Sequence, residues 1–254
     1  MLIRKSMLLG VLVLSGCCKS NMTRPDLYPN HEKTVKPTFT LYAAGDHAQS
    51  MSLQDFSGNI SLPELSSHSP LYAIGPVAEL QGEITIYDDH VSVSYIEDNQ
   101  PMVHSDLLGE AAFLVYASVT DWEEYIIYQG LEDLDELEEY IEEAAENAGL
   151  DINQGFPFRI EAQVPMLDYH VIFKQHSEQS HAQARHSFAL SDADVRIIGF
   201  WSAVDDGRYT HTDSRIHTHF QMRDDSTSGH IDAIEIPRGA RLYLPIKIMD
   251  AADP

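Results

Sequence analysis

The chain has 254 residues, 43% of them hydrophobic, which is enough to bury a full core as one large domain or two small ones. Its 40 acidic residues outnumber its 16 lysines and arginines, and the formal charge is −24 at pH 7. A surface this acidic repels phosphate backbones and anionic headgroups, so we exclude nucleic acid as a partner.

The N-terminal residues have the pattern of an export signal. Two basic residues precede a short apolar stretch, residues 7–14, that cannot span a bilayer as a helix. The stretch ends in Leu14-Ser15-Gly16-Cys17, which resembles the processing box of bacterial lipoproteins. We predict that residues 1–16 are a signal peptide and that Cys17 carries lipid. The protein would then be anchored to a membrane only by that lipid, on its periplasmic or extracellular side. The alternative is a buried apolar helix with an incidental cysteine.

The remaining chain divides into a tether and a folded part. Cys18 is the only other cysteine, so we predict no disulfide framework. Residues 17–37 are polar and contain three prolines, which is typical of a tether. We predict a folded domain over residues 38–254 and leave open its division into two sub-domains, residues 38–150 and 151–254.

Period-two alternation predicts strands through most of this domain. Residues 83–87 and 90–95 flank Asp88-Asp89 and predict a β-hairpin. Further strands are predicted at residues 38–43, 112–119, 156–164, 169–174, 195–201, 215–222, 230–236 and 241–248, and a short helical turn at residues 62–67. The predicted fold class is α+β, with strand-rich mixed β-sheets and a few helices.

One segment, residues 121–150, has a clear helical pattern. Apolar residues recur at three- and four-residue steps between positions 131 and 141, and Gly149 is the predicted C-cap. The carboxylates between them predict a solvated outer face, the alternative being a surface for a cation or a basic partner. Residues 175–187 carry three histidines at five-residue intervals, which do not share a helix face. We predict an exposed loop there, not a metal site.

A His-x-His pair carries the strongest chemical signal. In a strand, His217 and His219 project from the same face. A polar turn at residues 223–229 leads to His230, which begins the next apolar segment. If the hairpin places His219 beside His230, three imidazoles converge. Three neutral nitrogen ligands with an open fourth position are typical of a catalytic zinc site.

Several short motifs, in order between about residue 41 and residue 245, resemble those of the alpha-acetolactate decarboxylase family. They are Leu80-Gln81-Gly82-Glu83, Phe158-Arg159-Ile160-Glu161, Gly199-Phe200-Trp201, His217-Thr218-His219, and Gly229-His230 with Asp232 two positions on. The resemblance implies the fold of that family. It also implies decarboxylation of a branched 2-hydroxy-3-oxo acid, such as 2-acetolactate, to a hydroxyketone such as acetoin.

The same resemblance implies roles for particular residues. His217, His219 and His230 would hold one zinc ion per chain. Arg159 would orient the substrate carboxylate or the enediolate left by loss of carbon dioxide, and Glu83 would donate or relay a proton. Without the resemblance, Arg159 is equally well explained as a structural partner of an acidic residue such as Glu161 or Glu83, and Glu83 as an exposed hairpin residue.

Two positions depart from the family pattern. Pro76 stands where the family has a threonine, and no glutamate follows Glu235, whereas the family supplies one from its C-terminal tail. Asp250 and Asp253 are the acids in that tail here. Two alternatives therefore accompany the decarboxylase hypothesis: a non-catalytic metal- or ligand-binding lipoprotein of the same fold, and a cupin-like metalloenzyme. The sequence leaves open the true substrate and whether the chain forms a homodimer.

Overall fold

A computed structural model describes residues 35–176, 178–203, 210 and 214–249 of the chain. The predicted signal peptide, the lipidated Cys17 and the acids Asp250 and Asp253 lie outside these residues. Of the predicted tether, only Val35–Pro37 is described, and it forms a strand that pairs with Lys247–Met249.

Strands dominate the described residues, as predicted. The strands are β1 (Val35–Pro37), β2 (Phe39–Ala44), β3 (Ile60–Ser61), β4 (Leu71–Pro76), β5 (Glu83–Tyr87), β6 (His90–Glu97), β7 (Gln100–His104), β8 (Glu110–Ala111), β9 (Leu114–Val119), β10 (Trp122–Ile126), β11 (Phe156–Ile172), β12 (Arg185–Trp201), β13 (Ile216–Met222), β14 (Ser228–Glu235), β15 (Arg241–Pro245) and β16 (Lys247–Met249). The α-helices are α1 (His47–Leu53), α2 (Leu134–Asn147) and α3 (His181–Ala184), and Leu62–His68 and Ala78–Leu80 are 3₁₀ turns. The α+β, strand-rich fold class is confirmed, whereas the sheets were predicted to be mixed and the described strand pairs are antiparallel.

Two six-stranded sheets, built from antiparallel pairs, form the body of the molecule. The first sheet has the order β2-β9-β4-β5-β6-β7, and the second has the order β10-β15-β11-β12-β13-β14. Strand β11 also pairs with β14, so strands β11 to β14 close into a ring. The two sheets contact each other mainly through β5, which touches strands β12, β13 and β14.

The predicted hairpin forms between β5 and β6. Asp88 and Asp89 both have positive φ, 54° and 65°, which a two-residue turn between twisted strands requires and aspartate tolerates. Ile84 and Ile86 pack in the core behind the first sheet. Alternation therefore turns the odd-numbered side chains of β5, beginning with Glu83, toward the second sheet.

The predicted helical segment, residues 121–150, is helical only over Leu134–Asn147. Trp122–Ile126 instead forms β10, which pairs with β15 at an edge of the second sheet. The prediction was wrong there because long-range pairing, here with β15, decides the conformation of so short a segment. The C-cap is Ala148, one residue before the predicted Gly149. Gly149 follows it with a φ of +74°, and the Leu150 amide donates to the carbonyl of Ala145 at 2.9 Å.

Helix α2 packs its apolar side into the core beside the second sheet. Much of its acidic face is exposed, but Glu138 and Glu142 accept hydrogen bonds from Arg215 at 2.8 and 2.7 Å. These contacts anchor the residue that precedes β13. Among the described residues, no helix is both long and apolar enough to cross a bilayer.

The prediction of a loop at residues 175–187 is wrong for the second half of that segment. Ser180 caps the short helix α3 in a reciprocal capping box with Gln183. Strand β12 then begins at Arg185 and pairs with β11 along its whole length. Two strands were predicted at residues 156–164 and 169–174, but β11 is one long strand, because its pairing with β12 continues between them.

Candidate metal centre and adjoining cavity

Three histidine side chains converge on the strands that the sequence predicted. His219 and His230 are paired across β13 and β14, and His217 lies two residues earlier on the same face. His217 Nε2 lies 3.2 Å from His230 Nδ1, which lies 3.3 Å from His219 Nε2. Nitrogens at 2.0–2.1 Å from one tetrahedral zinc ion would be about 3.3 Å apart. The cluster therefore has the spacing to hold one metal ion.

The orientation of His219 is fixed from the first sheet. The hydroxyl of Thr85 on β5 lies 3.0 Å from His219 Nδ1, and both side chains are fully buried. When Nδ1–H donates to this hydroxyl, Nε2 keeps its lone pair and directs it toward the other two imidazoles. Packing of the two sheets thus selects the nitrogen that is available to a metal.

The donor set fits a catalytic zinc site better than a structural one. A structural site would use four protein ligands, commonly including cysteine thiolates. The three histidines supply neutral nitrogens, and the two cysteines of the chain lie far away in sequence, at positions 17 and 18. His217 and His230 both line a cavity. The fourth coordination position of a metal held by the three histidines could therefore be taken by a ligand in that cavity.

That cavity has a volume of about 470 Å³, which suits a small metabolite. Part of its wall is apolar and includes Pro76, Phe113 and Ile172. Pro76 occupies the position of the family's threonine and offers no hydroxyl to a ligand. The remaining wall is rich in histidine, with His170 and His181 beside the two histidines of the cluster.

Glu83 lies in this cavity and is buried, so its interpretation as an exposed hairpin residue is wrong. Its Oε2 is 3.9 Å from His219 Nε2, and its Oε1 accepts a long hydrogen bond of 3.4 Å from the amide of Ile172. Burial raises the pKa of Glu83 to about 8, and the charge of Asp232 adds to that effect, while the Ile172 amide opposes it. Without a cation in the cluster, the carboxyl therefore keeps its proton at higher pH than an exposed glutamate does.

Arg159 does not line the cavity. Its guanidinium carbon lies 4.5 Å from the ring centroid of Tyr243 and 4.7 Å from that of Trp122, and Nη1 donates to the Tyr72 hydroxyl at 3.0 Å. Among the described ion pairs, none joins Arg159 to Glu161. The contacts of Arg159 are therefore those of a packed cation among aromatic rings, and direct contact with substrate has no support from its position.

We accordingly predict that Arg159→Ala lowers the free energy of unfolding by about 2–4 kcal/mol, because several cation–π contacts and one hydrogen bond are lost together. Urea unfolding followed by tryptophan fluorescence measures this change. Arg238→Ala, at an exposed position, is the control and should leave stability nearly unchanged. Unchanged stability with lost turnover would contradict the packing role and favour the orienting role.

Sequence reasoning missed a set of residues at the mouth of the cavity. Arg185 Nη2 lies 2.6 Å from one oxygen of Asp232, and His170 Nδ1 lies 2.8 Å from the other. The ring of His170 is 4.6 Å from that of His230. Arg185 was hidden in the predicted loop. The large apolar residues at every second position, Phe188 and Leu190, were the signal that extends β12 back toward it.

The described residues combine a strand-rich α+β fold with a three-histidine cluster that could hold a metal ion beside a cavity. The family model for alpha-acetolactate decarboxylase matches residues 47–250. The chain therefore belongs to this family, which is one of decarboxylases, as the sequence motifs predicted. The cupin alternative is thereby set aside.

Solved structures show the same fold. An alpha-acetolactate decarboxylase from Bacillus subtilis strain 168 is 15% identical, with 84% of this chain and 90% of that chain aligned at a TM-score of 0.64. An acetolactate decarboxylase from Bacillus subtilis subspecies spizizenii gives 14% identity, the same coverage and a TM-score of 0.62. A Staphylococcus aureus protein of unknown function, similar to alpha-acetolactate decarboxylase, is 15% identical. The alignment covers 81% of this chain and 85% of that chain, with a TM-score of 0.61. No curated protein matches the chain significantly in sequence.

Proposed function

We propose that the chain decarboxylates a branched 2-hydroxy-3-oxo acid such as 2-acetolactate, releasing carbon dioxide and a hydroxyketone such as acetoin. Family membership supports the class of reaction. The observation that carries the proposal is the convergence of His217, His219 and His230 at the wall of a cavity that also contains Glu83.

The proposed cofactor is one zinc ion per chain, with His217 Nε2, His219 Nε2 and His230 Nδ1 as its ligands. Their spacings of 3.2 and 3.3 Å support this assignment. When bound, zinc would act as a Lewis acid that stabilises negative charge developing on the substrate oxygens. Neutral imidazole ligands would not offset that stabilisation, and the burial of His217 and His219 keeps the surroundings poor in water.

The reaction consumes one proton, and Glu83 is our candidate for supplying it. Loss of carbon dioxide breaks the bond between the carboxylate carbon and the neighbouring carbon, which keeps the electron pair. A proton must then reach that carbon to give the hydroxyketone. The Glu83 carboxyl lines the cavity, 3.9 Å from His219, and is only 3% exposed, so bulk water competes poorly with it as a donor.

The shape of the cavity supports a substrate with short alkyl groups. The lining combines apolar surface from Phe113, Ile172 and Pro76 with polar groups from the histidines and Glu83. A small molecule that carries both methyl groups and oxygens finds partners of both kinds in such a lining.

The proposal is tested by incubating the zinc-loaded chain with racemic 2-acetolactate and measuring carbon dioxide and acetoin. We expect the two products in equal amounts, and no turnover after the metal is removed by a chelator. The binding-protein alternative predicts no carbon dioxide, together with a rise in melting temperature when substrate is added. That result would overturn the proposed reaction.

We propose further that the protein is exported and held at a membrane by lipid on Cys17. The support is the box Leu14-Ser15-Gly16-Cys17 after a short apolar stretch. More than one acyl chain gives durable anchoring, because each buried methylene contributes about 0.8 kcal/mol.

This anchoring predicts an acylated peptide that begins at Cys17 in the mass spectrum of the membrane fraction. Cys17→Ser should move the protein out of that fraction, whereas the matched control Cys18→Ser should not. Soluble protein with an intact Met1 terminus would contradict both export and anchoring.

A further inference from the structure

A single guanidinium group lies at the edge of the cavity. Among the described residues that line it, Arg185 is the only arginine or lysine, and its side chain is 44% exposed. The chain as a whole carries a formal charge of −24, which repels an anionic substrate. A fixed cation at the cavity would offset that repulsion at the point of binding.

We propose that Arg185 binds the substrate carboxylate, and that Asp232 and His170 are positioning residues that hold its guanidinium. The inference rests on the proposed function, because it takes the substrate to be a small carboxylic acid. It assigns the carboxylate to a residue on β12 and not to Arg159 on β11, which lies among aromatic rings outside the cavity.

Strand pairing brings Arg185 to the metal cluster. Arg185 is paired with Ile172 across β12 and β11, and His170 lies two residues before Ile172 on the same face. His170 is in turn paired with His230 across β11 and β14. The guanidinium and the predicted metal ligand His230 are therefore presented by β12 and β14, the two strands that pair with this part of β11.

Side-chain contacts then fix the guanidinium in place. Arg185 Nη2 contacts Asp232 Oδ2 at 2.6 Å, which uses one of the five N–H donors of the group. Asp232 Oδ1 contacts His170 Nδ1 at 2.8 Å, and the His170 ring lies 4.6 Å from the His230 ring. A planar group held at one end can offer two parallel N–H donors to a carboxylate, the geometry that arginine favours.

A second metal ion is the competing explanation for the same residues. His170, His230 and Asp232 have ligand atoms within 4.8 Å of one another and could hold a cation. However, both oxygens of Asp232 already have partners, and one partner is the positive guanidinium at 2.6 Å. A cation placed there would be repelled by Arg185 at short range, so an anion is the better occupant of this part of the cavity.

The test is calorimetric titration of the zinc-loaded chain with 2-hydroxy-2-methylpropanoate and with its uncharged amide. Arg185→Ala should weaken binding of the carboxylate by about tenfold to a hundredfold, because a charge-assisted hydrogen-bonded pair is lost. Binding of the amide should change little. Arg238→Ala removes an exposed arginine that does not line the cavity and should leave both affinities unchanged.

A matched variant tests the positioning residues. Asp232→Asn should weaken carboxylate binding without loss of zinc, while the amide still binds, and Arg185→Lys should restore part of the affinity lost in Arg185→Ala. If Asp232 had only a structural role, Asp232→Asn would weaken the binding of the carboxylate and of the amide equally. That result would argue against a positioning role.

The outcomes separate this inference from the proposed reaction. Equal affinity of the wild type and Arg185→Ala for the carboxylate overturns the inference, even if the wild type produces acetoin. A content of two zinc ions per chain in the wild type and one in Asp232→Asn overturns the inference in favour of a second metal site. Discrimination between carboxylate and amide through Arg185, without decarboxylation, supports the carboxylate site and refutes the reaction.

Discussion

Replacing His219 by alanine should abolish both metal binding and decarboxylation. His219 is fully buried, supplies the nitrogen 3.3 Å from His230 Nδ1, and is oriented by Thr85. Two histidines alone hold zinc weakly, and the lost stabilisation of substrate charge corresponds to about a thousandfold or more in turnover. Metal content by inductively coupled plasma mass spectrometry and acetoin formation measure the two effects.

The same experiment needs a control for folding, because His219→Ala leaves a buried gap. Thr85→Val keeps the histidine and removes only the hydroxyl at Nδ1, so we expect zinc affinity to fall by about tenfold to a hundredfold. His104→Ala changes an exposed histidine on the edge strand β7 and should leave both metal content and turnover intact. One zinc ion per chain retained in well-folded His219→Ala would show that the cluster is not the metal site.

Replacing Glu83 by glutamine should lower kcat and kcat/KM together by about a hundredfold or more, with zinc still bound. The carboxyl is not among the three imidazole ligands, and glutamine keeps its size while removing the transferable proton. The side chain is buried beside His219, so no exposed acid can easily replace it. Steady-state kinetics with 2-acetolactate and metal analysis of the same sample measure both quantities.

Glu97→Gln, at an exposed position on β6, is the matched control and should keep full activity. Full decarboxylase activity in Glu83→Gln would show that the proton comes from elsewhere, even where the histidine cluster holds zinc. Loss of zinc from Glu83→Gln would instead indicate that the carboxyl takes part in holding the metal.

The histidine cluster could be predicted from sequence because its geometry is local. Alternation in β13 places His217 and His219 on one face, and a short polar turn returns the chain so that His219 faces His230. The hairpin that carries Glu83 was predictable for the same reason, since period-two alternation and the two aspartates of its turn define it.

The environment of these residues could not be predicted, because it depends on how the two sheets pack. Thr85 and His219 meet across 134 residues of sequence, and no local pattern records that contact. Glu83 is buried by the same packing, although strand-start glutamates are usually exposed. Arg159 was assigned to the substrate by resemblance, but aromatic residues of β4, β10 and β15 enclose it.

Arg185 was missed for a different physical reason. The polar run around it, with three evenly spaced histidines, has the composition of a loop. Pairing with β11 nevertheless continues β12 back to Arg185, because β11 itself is 17 residues long and offers a partner along its full length. Where a strand ends because of the length of the strand beside it, its own sequence does not predict that end.

We propose that the proposed reaction depends on one metal ion held by His217, His219 and His230 at the cavity. Crystals of the zinc-loaded chain, measured on both sides of the zinc absorption edge, test it directly. We predict one anomalous peak per chain at about 2.0–2.1 Å from His217 Nε2, His219 Nε2 and His230 Nδ1, with the open coordination position of the metal toward the cavity. A peak held by His170 and Asp232 instead, or no peak at the three histidines, would contradict it.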